Sequence, residues 1–240
     1  MPIRECIILA GGLGTRLRSA VPDTPKCMAP VAGKPFLHFV INYLQAQGIE
    51  SFIFSLGYMH EVIDEFLLTH YPLLNYQLSI EEEPLGTGGA IRLACKKATE
   101  PNVLVLNGDT MYKTDLAKLS AFHHQHAAAC TLSLKPMHDF DRYGVVEINK
   151  DGYIQSFMEK KFYQQGLING GVYALNVPKF LSLDLPEKFS FEKDYLEKYF
   201  ASEKMMGLMQ DEYFIDIGIP EDFEKANTEF GYLEINPADH

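Results

Sequence analysis

Residues 6–17 read CIILAGGLGTRL, an apolar run that ends directly in a glycine-rich turn. A short apolar run of this kind is typical of a strand that a parallel sheet buries on both faces. The glycines leave backbone N–H groups open to an anion, and Arg16 adds a forked phosphate donor to the same turn. The segment therefore predicts an α/β fold whose first strand leads into a phosphate-binding loop.

Two familiar phosphate motifs do not account for this loop. Leu17 stands where the dinucleotide-binding fingerprint needs its third glycine, and the Gly-Lys-Ser/Thr of the P-loop is absent from the sequence. A tight turn after a strand would explain the glycines alone. It would not explain why Arg16 and the pair Pro25-Lys26 follow in the same loop, so phosphate binding is the favoured interpretation.

The chain after this loop alternates between helix and strand patterns. Apolar positions recur at helical spacing from Pro35 to the C-terminal cap Gly48. The residues that follow predict a strand at 52–56, a helix at 61–69, a strand at 77–81, a helix beginning near Gly88, a strand at 103–106 and a helix at 115–126. This alternation predicts a Rossmann-like three-layer α/β/α fold with a mostly parallel central sheet.

The pattern changes after residue 127 to a series of strands. They are predicted at 130–134, 145–148, 153–158 and 171–175, with Lys150-Asp151-Gly152 as a hairpin turn. Short helices near 179–183 and 192–200, a strand at 214–217 and a helix from Pro220 follow. We expect a single domain over 1–240 with halves at about 1–127 and 128–240, the second being a smaller antiparallel lobe that lies over the first-half sheet.

The charge distribution limits the class of partner. The formal net charge of −11 over 240 residues argues against a protein that binds nucleic acid across its surface. The first 35 residues have the opposite charge, since they contain five basic residues and two acidic ones. Four cysteines without metal-ligand spacing indicate reduced thiols, and no apolar run is long enough for a leader peptide or a membrane span. We expect no membrane insertion and a cytoplasmic location.

Carboxylates follow several of the predicted strands. Asp109 comes after the strand at 103–106, at the sheet edge where α/β folds bind ligands, and is a candidate Mg²⁺ ligand. Asp216 lies between isoleucines, so we expect it to be paired or metal-bound. Glu81 opens the segment EEEPLGTGG, and its carboxylate matches the two parallel donors of a guanine edge. A solvated acidic patch is the alternative for Glu81.

Two further features receive no functional role. The histidines at 123, 124 and 126 suggest a metal site at first sight, but only His123 and His126 share a helix face and no third ligand is near in sequence. A solvated helix end is the favoured interpretation. Cys27, next to Lys26, is likewise assigned no role.

The segments above resemble the sugar-nucleotide pyrophosphorylases, a nucleotidyltransferase family whose signature is LAGGxGTRL followed by a Pro-Lys pair. Residues 9–17 and Pro25-Lys26 match this signature. The resemblance implies that Arg16 contacts the outer phosphates of a nucleoside triphosphate and that Lys26 contacts the α-phosphate. It also implies that Asp109 and Asp216 hold Mg²⁺. These four residues are the candidate catalytic residues.

The resemblance implies two sets of binding residues. The nucleotide-binding set consists of Leu9, Ala10, Gly11, Gly12, Gly14, Thr15, Arg16, Lys26, Glu81, Gly86, Thr87, Gly88 and Asp109. The sugar-phosphate-binding set, from the second half, consists of Tyr143, Gly144, Glu159, Lys160, Asn169 and Gly171. Glu159 can accept hydrogen bonds from sugar hydroxyls and Lys160 can neutralise the sugar phosphate. An ordinary charged strand end is the alternative for both.

Within the family, the segments PLGTGGAI, FDRYGVVE, QGLINGGVY and EKFSFEKD are most similar to the heptose 1-phosphate guanylyltransferase branch. That similarity implies GTP and D-glycero-α-D-manno-heptose 1-phosphate as substrates, with GDP-heptose for cell-surface polysaccharides as product. One alternative is the same reaction with another pair, such as UTP or mannose 1-phosphate. Another is a catalytically silent homologue that binds sugar nucleotides. A homo-oligomer is compatible with each of these.

Overall fold

A computed structural model describes residues 2–12 and 24–235 of the chain. The predicted roles of Gly14, Thr15 and Arg16 lie outside the described residues. The strands are β1 Glu5–Leu9, β2 Pro30–Val31, β3 Lys34–Pro35, β4 Ser51–Leu56, β5 Tyr76–Ile80, β6 Asn102–Asn107, β7 Thr110–Tyr112, β8 Cys130–Phe140, β9 Val145–Ile148, β10 Ile154–Met158, β11 Tyr163–Asn176, β12 Met205–Met209 and β13 Phe214–Asp216.

The helices pack around these strands. They are α1 Phe36–Ala46, α2 His60–His70, α3 Gly86–Cys95, α4 Leu116–His126, α5 Val177–Leu181, α6 Glu197–Tyr199 and α7 Pro220–Ile235, with a 3₁₀ turn at Lys26–Met28 and a π-helical turn at Phe191–Leu196. No helix among the residues that the structure describes is long and apolar enough to cross a bilayer.

The central strands confirm the sequence interpretation of the first half. β6, β1, β4 and β5 run parallel and side by side, with β1 between β4 and β6. Cys6, Ile7 and Ile8 of β1 are fully buried, as an apolar run flanked on both sides requires. The carboxyl end of β1 therefore lies in the middle of the sheet edge.

Alternating residues of β1 separate the core into two layers. Ile8 packs in a cluster with α1 and α7, which contribute Phe36 and Phe230 among others. Ile7 packs in a second cluster with Ile91 of α3 and Phe180 of α5. Because successive strand residues point to opposite faces, helices cover both faces of the sheet, and the predicted three-layer α/β/α fold is confirmed.

The second half is mostly antiparallel, as predicted, with β12 parallel to β8 as the exception, but it does not lie over the first-half sheet. β11 pairs antiparallel with β6, and β8, β9, β10 and β12 continue outward from it, so nine strands form one sheet. The register Val172↔Leu106 to Asn176↔Asn102 joins the two halves by hydrogen bonds rather than by face-to-face packing. The expected covering lobe is therefore a lateral extension of the sheet.

The histidine-rich end of α4 corrects a second expectation. His123 is buried rather than solvated: Nδ1 lies 2.9 Å from Thr131 Oγ1 and Nε2 lies 3.1 Å from Asn102 Oδ1. Burial, assisted by the nearby charges of His124 and Lys179, lowers the pKa of His123 to about 4. This side chain joins α4 to the sheet, because Asn102 belongs to β6 and Thr131 to β8.

Candidate active site

The carboxyl ends of three parallel strands meet at one point. Past the end of β1, the Ala10 N–H donates to the Ser55 carbonyl at 2.9 Å, while the Leu9 carbonyl accepts from the Gly108 N–H at 2.8 Å. These bonds hold the segments after β1 and β6 side by side. Residues that follow these strands, including Asp109, therefore face the same crevice, as in other open α/β sheets.

Lys26 and the two predicted metal aspartates form one cluster. Lys26, in the 3₁₀ turn, places Nζ against Asp109 Oδ2 and at 3.5 Å from Asp216 Oδ1. The pairing of β13 with β7 produces this meeting, since Asp216 is in register with Thr110 and the Ile217 N–H donates to the Asp109 carbonyl at 3.1 Å. All three side chains are partly exposed, at 18% for Lys26, 30% for Asp109 and 32% for Asp216, so a ligand can reach them.

The cluster carries more negative than positive charge. Two carboxylates face one ammonium group, and burial together with the charge of Asp109 raises the pKa of Asp216. Among the described residues no group of three or more His, Cys, Asp or Glu side chains could hold a metal alone. Mg²⁺ needs only one or two carboxylates when phosphate oxygens and water complete its octahedron. The donor set of Asp109 and Asp216 fits that requirement.

Gly218 closes the cluster on its far side. Its N–H donates to Asp216 Oδ1 at 2.8 Å and so fixes the carboxylate at the end of β13. A Cβ atom at this position would lie 2.8 Å from both Lys26 Nζ and Asp216 Oδ1. The second residue after Asp216 must therefore be small for the lysine and the carboxylate to keep their positions.

Glu81 lies beside the glycine turn that follows β1. The Leu85 N–H donates to its Oε2 at 2.7 Å, and Oε1 is 3.3 Å from the point where a Cβ of Gly11 would lie. Burial raises the pKa of the Glu81 carboxyl, against the opposing effect of the Leu85 N–H. Its neighbours Glu82 and Glu83 are exposed. Glu81 is therefore the one glutamate of this triplet that the fold holds against the loop.

The second glycine turn packs against a distant segment of the chain. The Gly88 N–H donates to the Phe189 carbonyl at 3.0 Å, and a Cβ at Gly88 would overlap the Phe189 ring. Thr87 Oγ1 accepts from the Phe191 N–H at 2.9 Å and donates to Glu192 Oε2 at 3.0 Å. The start of α3, which contains predicted nucleotide-binding residues, is thus joined to the π-helical turn.

A cavity of about 610 Å³ opens between the strands of the second half and the π-helical turn. All six residues of the predicted sugar-phosphate set line it: Tyr143, Gly144, Glu159, Lys160, Asn169 and Gly171. Its volume falls in the range usual for small-molecule sites. Residues that are far apart in sequence are thereby brought to one concave surface.

One wall of this cavity has a fixed backbone geometry. Gly171 has φ +72°, and its N–H donates to Asn169 Oδ1 at 3.0 Å. The Asn169 amide in turn donates to the Tyr173 hydroxyl at 2.8 Å. A Cβ at Gly171 would lie 2.5 Å from Asn107 Nδ2, so this position requires glycine both for its conformation and for its contact. Asn107, at the end of β6, lines the cavity as well.

Tyr143 connects the cavity with the charged cluster. Its ring packs edge-on against Phe214 of β13 at 5.9 Å between centroids, and Arg142 lies over its face. Burial, followed by the negative charge of Asp216, raises the pKa of Tyr143 to about 12. Arg142 is itself held by Asp222 of α7 at 2.7 Å. The Tyr143 end of the cavity is therefore the end next to Lys26 and the aspartates.

Ten of the residues that line the cavity were not among the sequence predictions, and five of the ten come from outside the strands of the second half. These five are Asn107, Ser190, Glu192, Lys193 and Glu197. Asn107 was accessible to sequence reasoning, because it ends the strand that leads to Asp109. The other four come from a π-helical turn and its flanks, which have no sequence periodicity that predicts a binding wall.

The comparisons agree with this geometry. Residues 5–231 match a family model described as nucleotidyl transferase. The chain is 51% identical over 94% of its length, and over 97% of the relative, to D-glycero-alpha-D-manno-heptose 1-phosphate guanylyltransferase of Aneurinibacillus thermoaerophilus. It is 46% identical over 91% of its length to the Campylobacter jejuni enzyme of the same name, which it covers over 96%.

A solved structure has the same fold. The crystal structure of HddC from Yersinia pseudotuberculosis complexed with GMP-PN superposes with a TM-score of 0.85 and 38% sequence identity, over 95% of this chain and 100% of that one. Sequence, fold and site thus point to one family. The chain belongs to the nucleotidyl transferase family.

Proposed function

We propose that the chain transfers GMP from GTP to D-glycero-α-D-manno-heptose 1-phosphate, giving GDP-heptose and pyrophosphate, with Mg²⁺ as cofactor. The observation that carries this proposal is that the Lys26–Asp109–Asp216 cluster adjoins the cavity of about 610 Å³. Tyr143 of the lining packs against β13, which ends at Asp216, and Asn107 of the lining ends the strand that leads to Asp109. Activated phosphate chemistry and sugar recognition are thereby adjacent. The names of the two guanylyltransferases reported above support the choice of GTP and heptose phosphate.

The proposed reaction is an in-line displacement at the α-phosphorus of GTP. A phosphate oxygen of the sugar 1-phosphate attacks, and the bond to pyrophosphate breaks. That oxygen is already ionised at neutral pH, so the chain does not need a general base and catalysis rests on alignment and neutralisation of charge. Lys26 offsets the charge that develops on the α-phosphate oxygens. Asp109 and Asp216 would hold Mg²⁺, which when bound draws negative charge from the phosphate oxygens.

Recognition of the two substrates is assigned to separate walls. Glu81 beside the β1 loop supplies a carboxylate for the N1–H and N2–H₂ edge of guanine. On the sugar side, Glu159 and Lys160 lie at the exposed end of β10 within the cavity lining. They supply an acceptor for sugar hydroxyls and a cation for the 1-phosphate. We also propose a cytoplasmic location, in keeping with four cysteines that are all free thiols.

A substrate panel tests this proposal. Purified protein is incubated with each of four nucleoside triphosphates and with heptose, mannose and glucose 1-phosphates, with and without Mg²⁺, and pyrophosphate release is measured. The proposal predicts the highest kcat/KM for GTP with the heptose phosphate and no turnover in chelator. A higher kcat/KM for another pair would contradict the substrate assignment, and binding of GTP without turnover for any sugar phosphate would identify a silent homologue.

A further inference from the structure

Glu192, the second residue of the π-helical turn, has features of a binding group. It lines the cavity and is half-buried, whereas its neighbour Lys193 is exposed. π-Helical turns are rare and occur frequently at functional sites. Glu192 belongs to neither the predicted sugar-binding set nor the charged cluster, so its position in the cavity wall has no explanation in the proposed chemistry above.

One oxygen of the Glu192 carboxylate is held from two sides. Oε2 accepts a hydrogen bond from Thr87 Oγ1 at 3.0 Å and from Ser190 Oγ at 3.2 Å. Thr87 is fixed in turn, because its Oγ1 accepts from the Phe191 N–H at 2.9 Å. The other oxygen, Oε1, has no hydrogen-bond partner among the described residues. The protein therefore orders the Glu192 side chain, while Oε1 remains available to accept a hydrogen bond from a ligand.

Such an arrangement suits recognition of a hydroxyl. A carboxylate whose rotamer is already fixed loses little conformational entropy when a ligand binds. By contrast, Glu159 is exposed and its carboxylate has no hydrogen-bond partner among the described residues, so binding must also order that side chain. Lys193 follows Glu192 directly in the lining and supplies a donor, and a sugar hydroxyl can both donate and accept.

The position of Glu192 indicates which end of the sugar it meets. The 1-phosphate must point towards Lys26 and the aspartates. These adjoin the Tyr143 end of the cavity, because the Tyr143 ring packs against Phe214 of β13, the strand that ends at Asp216. Glu192 is instead tied to α3 through Thr87 and lies near Tyr173, whose pKa its charge helps to raise. The carboxylate therefore faces the glycosyl part of the substrate.

We propose that Glu192 determines specificity for the sugar, with Oε1 accepting a hydrogen bond from a hydroxyl remote from the 1-phosphate. This inference rests on the proposed function, since it assigns a new contact within the same reaction. Thr87 acts as a positioning residue that holds the carboxylate. The chemical class recognised is a sugar 1-phosphate with free hydroxyls on the side of the ring away from its phosphate.

The test compares Glu192→Gln with the wild type. The Gln carbonyl can still accept from Thr87 and Ser190, so the wall stays in place, while the open oxygen becomes an N–H₂ donor that cannot accept. KM for the sugar phosphate should rise roughly 10- to 100-fold, as for loss of a hydrogen bond to a charged group, with KM for GTP unchanged. Glu187→Gln, an equal charge change at an exposed residue outside the cavity lining, should leave both constants unchanged.

A second pair of variants separates recognition from structure. Thr87→Val removes the hydroxyl that orders Glu192 and should raise KM for the sugar phosphate, whereas Thr87→Ser should restore it. An unchanged sugar-phosphate KM in Glu192→Gln, or an equal rise in the GTP KM, would overturn the inference. If the wild type itself forms no nucleotide sugar, the proposed function has failed, and that result is obtained before any variant is measured.

Discussion

A single methyl group at Gly218 should impair catalysis without unfolding the protein. The backbone of Gly218 does not have positive φ, so alanine is permitted by conformation and only contacts oppose it. Those contacts are severe in one place, since a Cβ would lie 2.8 Å from Lys26 Nζ and from Asp216 Oδ1. The end of the lysine side chain and the carboxylate must then move away from each other.

The size of the displacement sets the expected effect. An ordinary contact begins near 3.4 Å, so each group must shift by about 0.6 Å. A misplacement of about 1 Å at reacting groups costs on the order of 10²-fold in rate, and we therefore expect Gly218→Ala to lower kcat about 10- to 100-fold. The groups that move are partly exposed side-chain ends, so the free energy of unfolding should change by less than about 1 kcal/mol.

The assay is steady-state pyrophosphate release with saturating substrates, accompanied by urea unfolding. Gly231→Ala is the matched control, because a Cβ at Gly231 has no neighbour nearer than 4.0 Å and the residue lies within α7. It should keep wild-type kcat and gain slightly in stability through helix propensity. A kcat for Gly218→Ala within twofold of the wild type would refute the argument that this glycine sets the positions of Lys26 and Asp216.

Four further substitutions test other parts of the structure. Asp109→Asn should lower turnover on the order of 10²-fold and raise the Mg²⁺ concentration needed for half-maximal rate, as measured by a metal titration of pyrophosphate release. Gly88→Ala forces a methyl group into the Phe189 ring and should lower the free energy of unfolding by about 1–3 kcal/mol in urea, since overpacking strains a buried contact. Glu81→Gln should reduce the kcat/KM ratio of GTP to UTP about tenfold or more, because a guanine donor loses its charged acceptor. His123→Gln should flatten the dependence of the free energy of unfolding on acid pH. In the wild type the pKa of His123 is lowered from 6.5 to about 4, so the unfolded chain binds this proton at a higher pH than the folded chain does. About 3 kcal/mol of the free energy of unfolding, present above pH 6.5, is therefore lost as the pH falls to 4.

Matched controls keep these four experiments interpretable. Asp184→Asn and Glu82→Gln make the same chemical changes at exposed residues and should be silent. His138→Gln removes an exposed imidazole that does not contribute to the lowered pKa of His123, and it should preserve the slope of stability against pH. Wild-type metal dependence in Asp109→Asn, unaltered unfolding in Gly88→Ala, an unaltered nucleotide ratio in Glu81→Gln, or a retained slope in His123→Gln would each contradict its own prediction.

The parallel half of the fold could be predicted because its signals are local. The buried run of β1 and the helix spacing from Pro35 each identify an element within a few residues. The lateral joining of the halves could not, because the strand predicted at 171–175 carries no local signal that it pairs with β6. The full length of β11 could not be predicted either, since its first residues read YQQGLING. Gln, Gly and Asn have low strand propensity, and only tertiary pairing with β8 makes that stretch extended.

The candidate site divides in the same way. Motif resemblance located six of the residues that line the cavity and the Lys26–Asp109–Asp216 cluster, because those segments keep short recognisable patterns. It did not find Glu192, whose relevance follows from contacts with Thr87 more than 100 positions away. His123 was misjudged because burial depends on β6 and β8, and a histidine-rich helix end looks solvated in sequence alone.

The short pairing of β7 with β13 has a consequence for the order in which the enzyme becomes active during synthesis. Asp109 leaves the ribosome about a hundred residues before Asp216, and this two-stranded ladder, with the adjoining bond from the Ile217 N–H to the Asp109 carbonyl, brings them together. Contacts of such long sequence separation form late, because loop closure must precede them. The nascent first half can assemble its parallel strands, yet it carries only Asp109 of the two aspartates in the charged cluster. A chain released before residue 214 would therefore fold its nucleotide-binding half but could not turn over GTP, because it lacks Asp216.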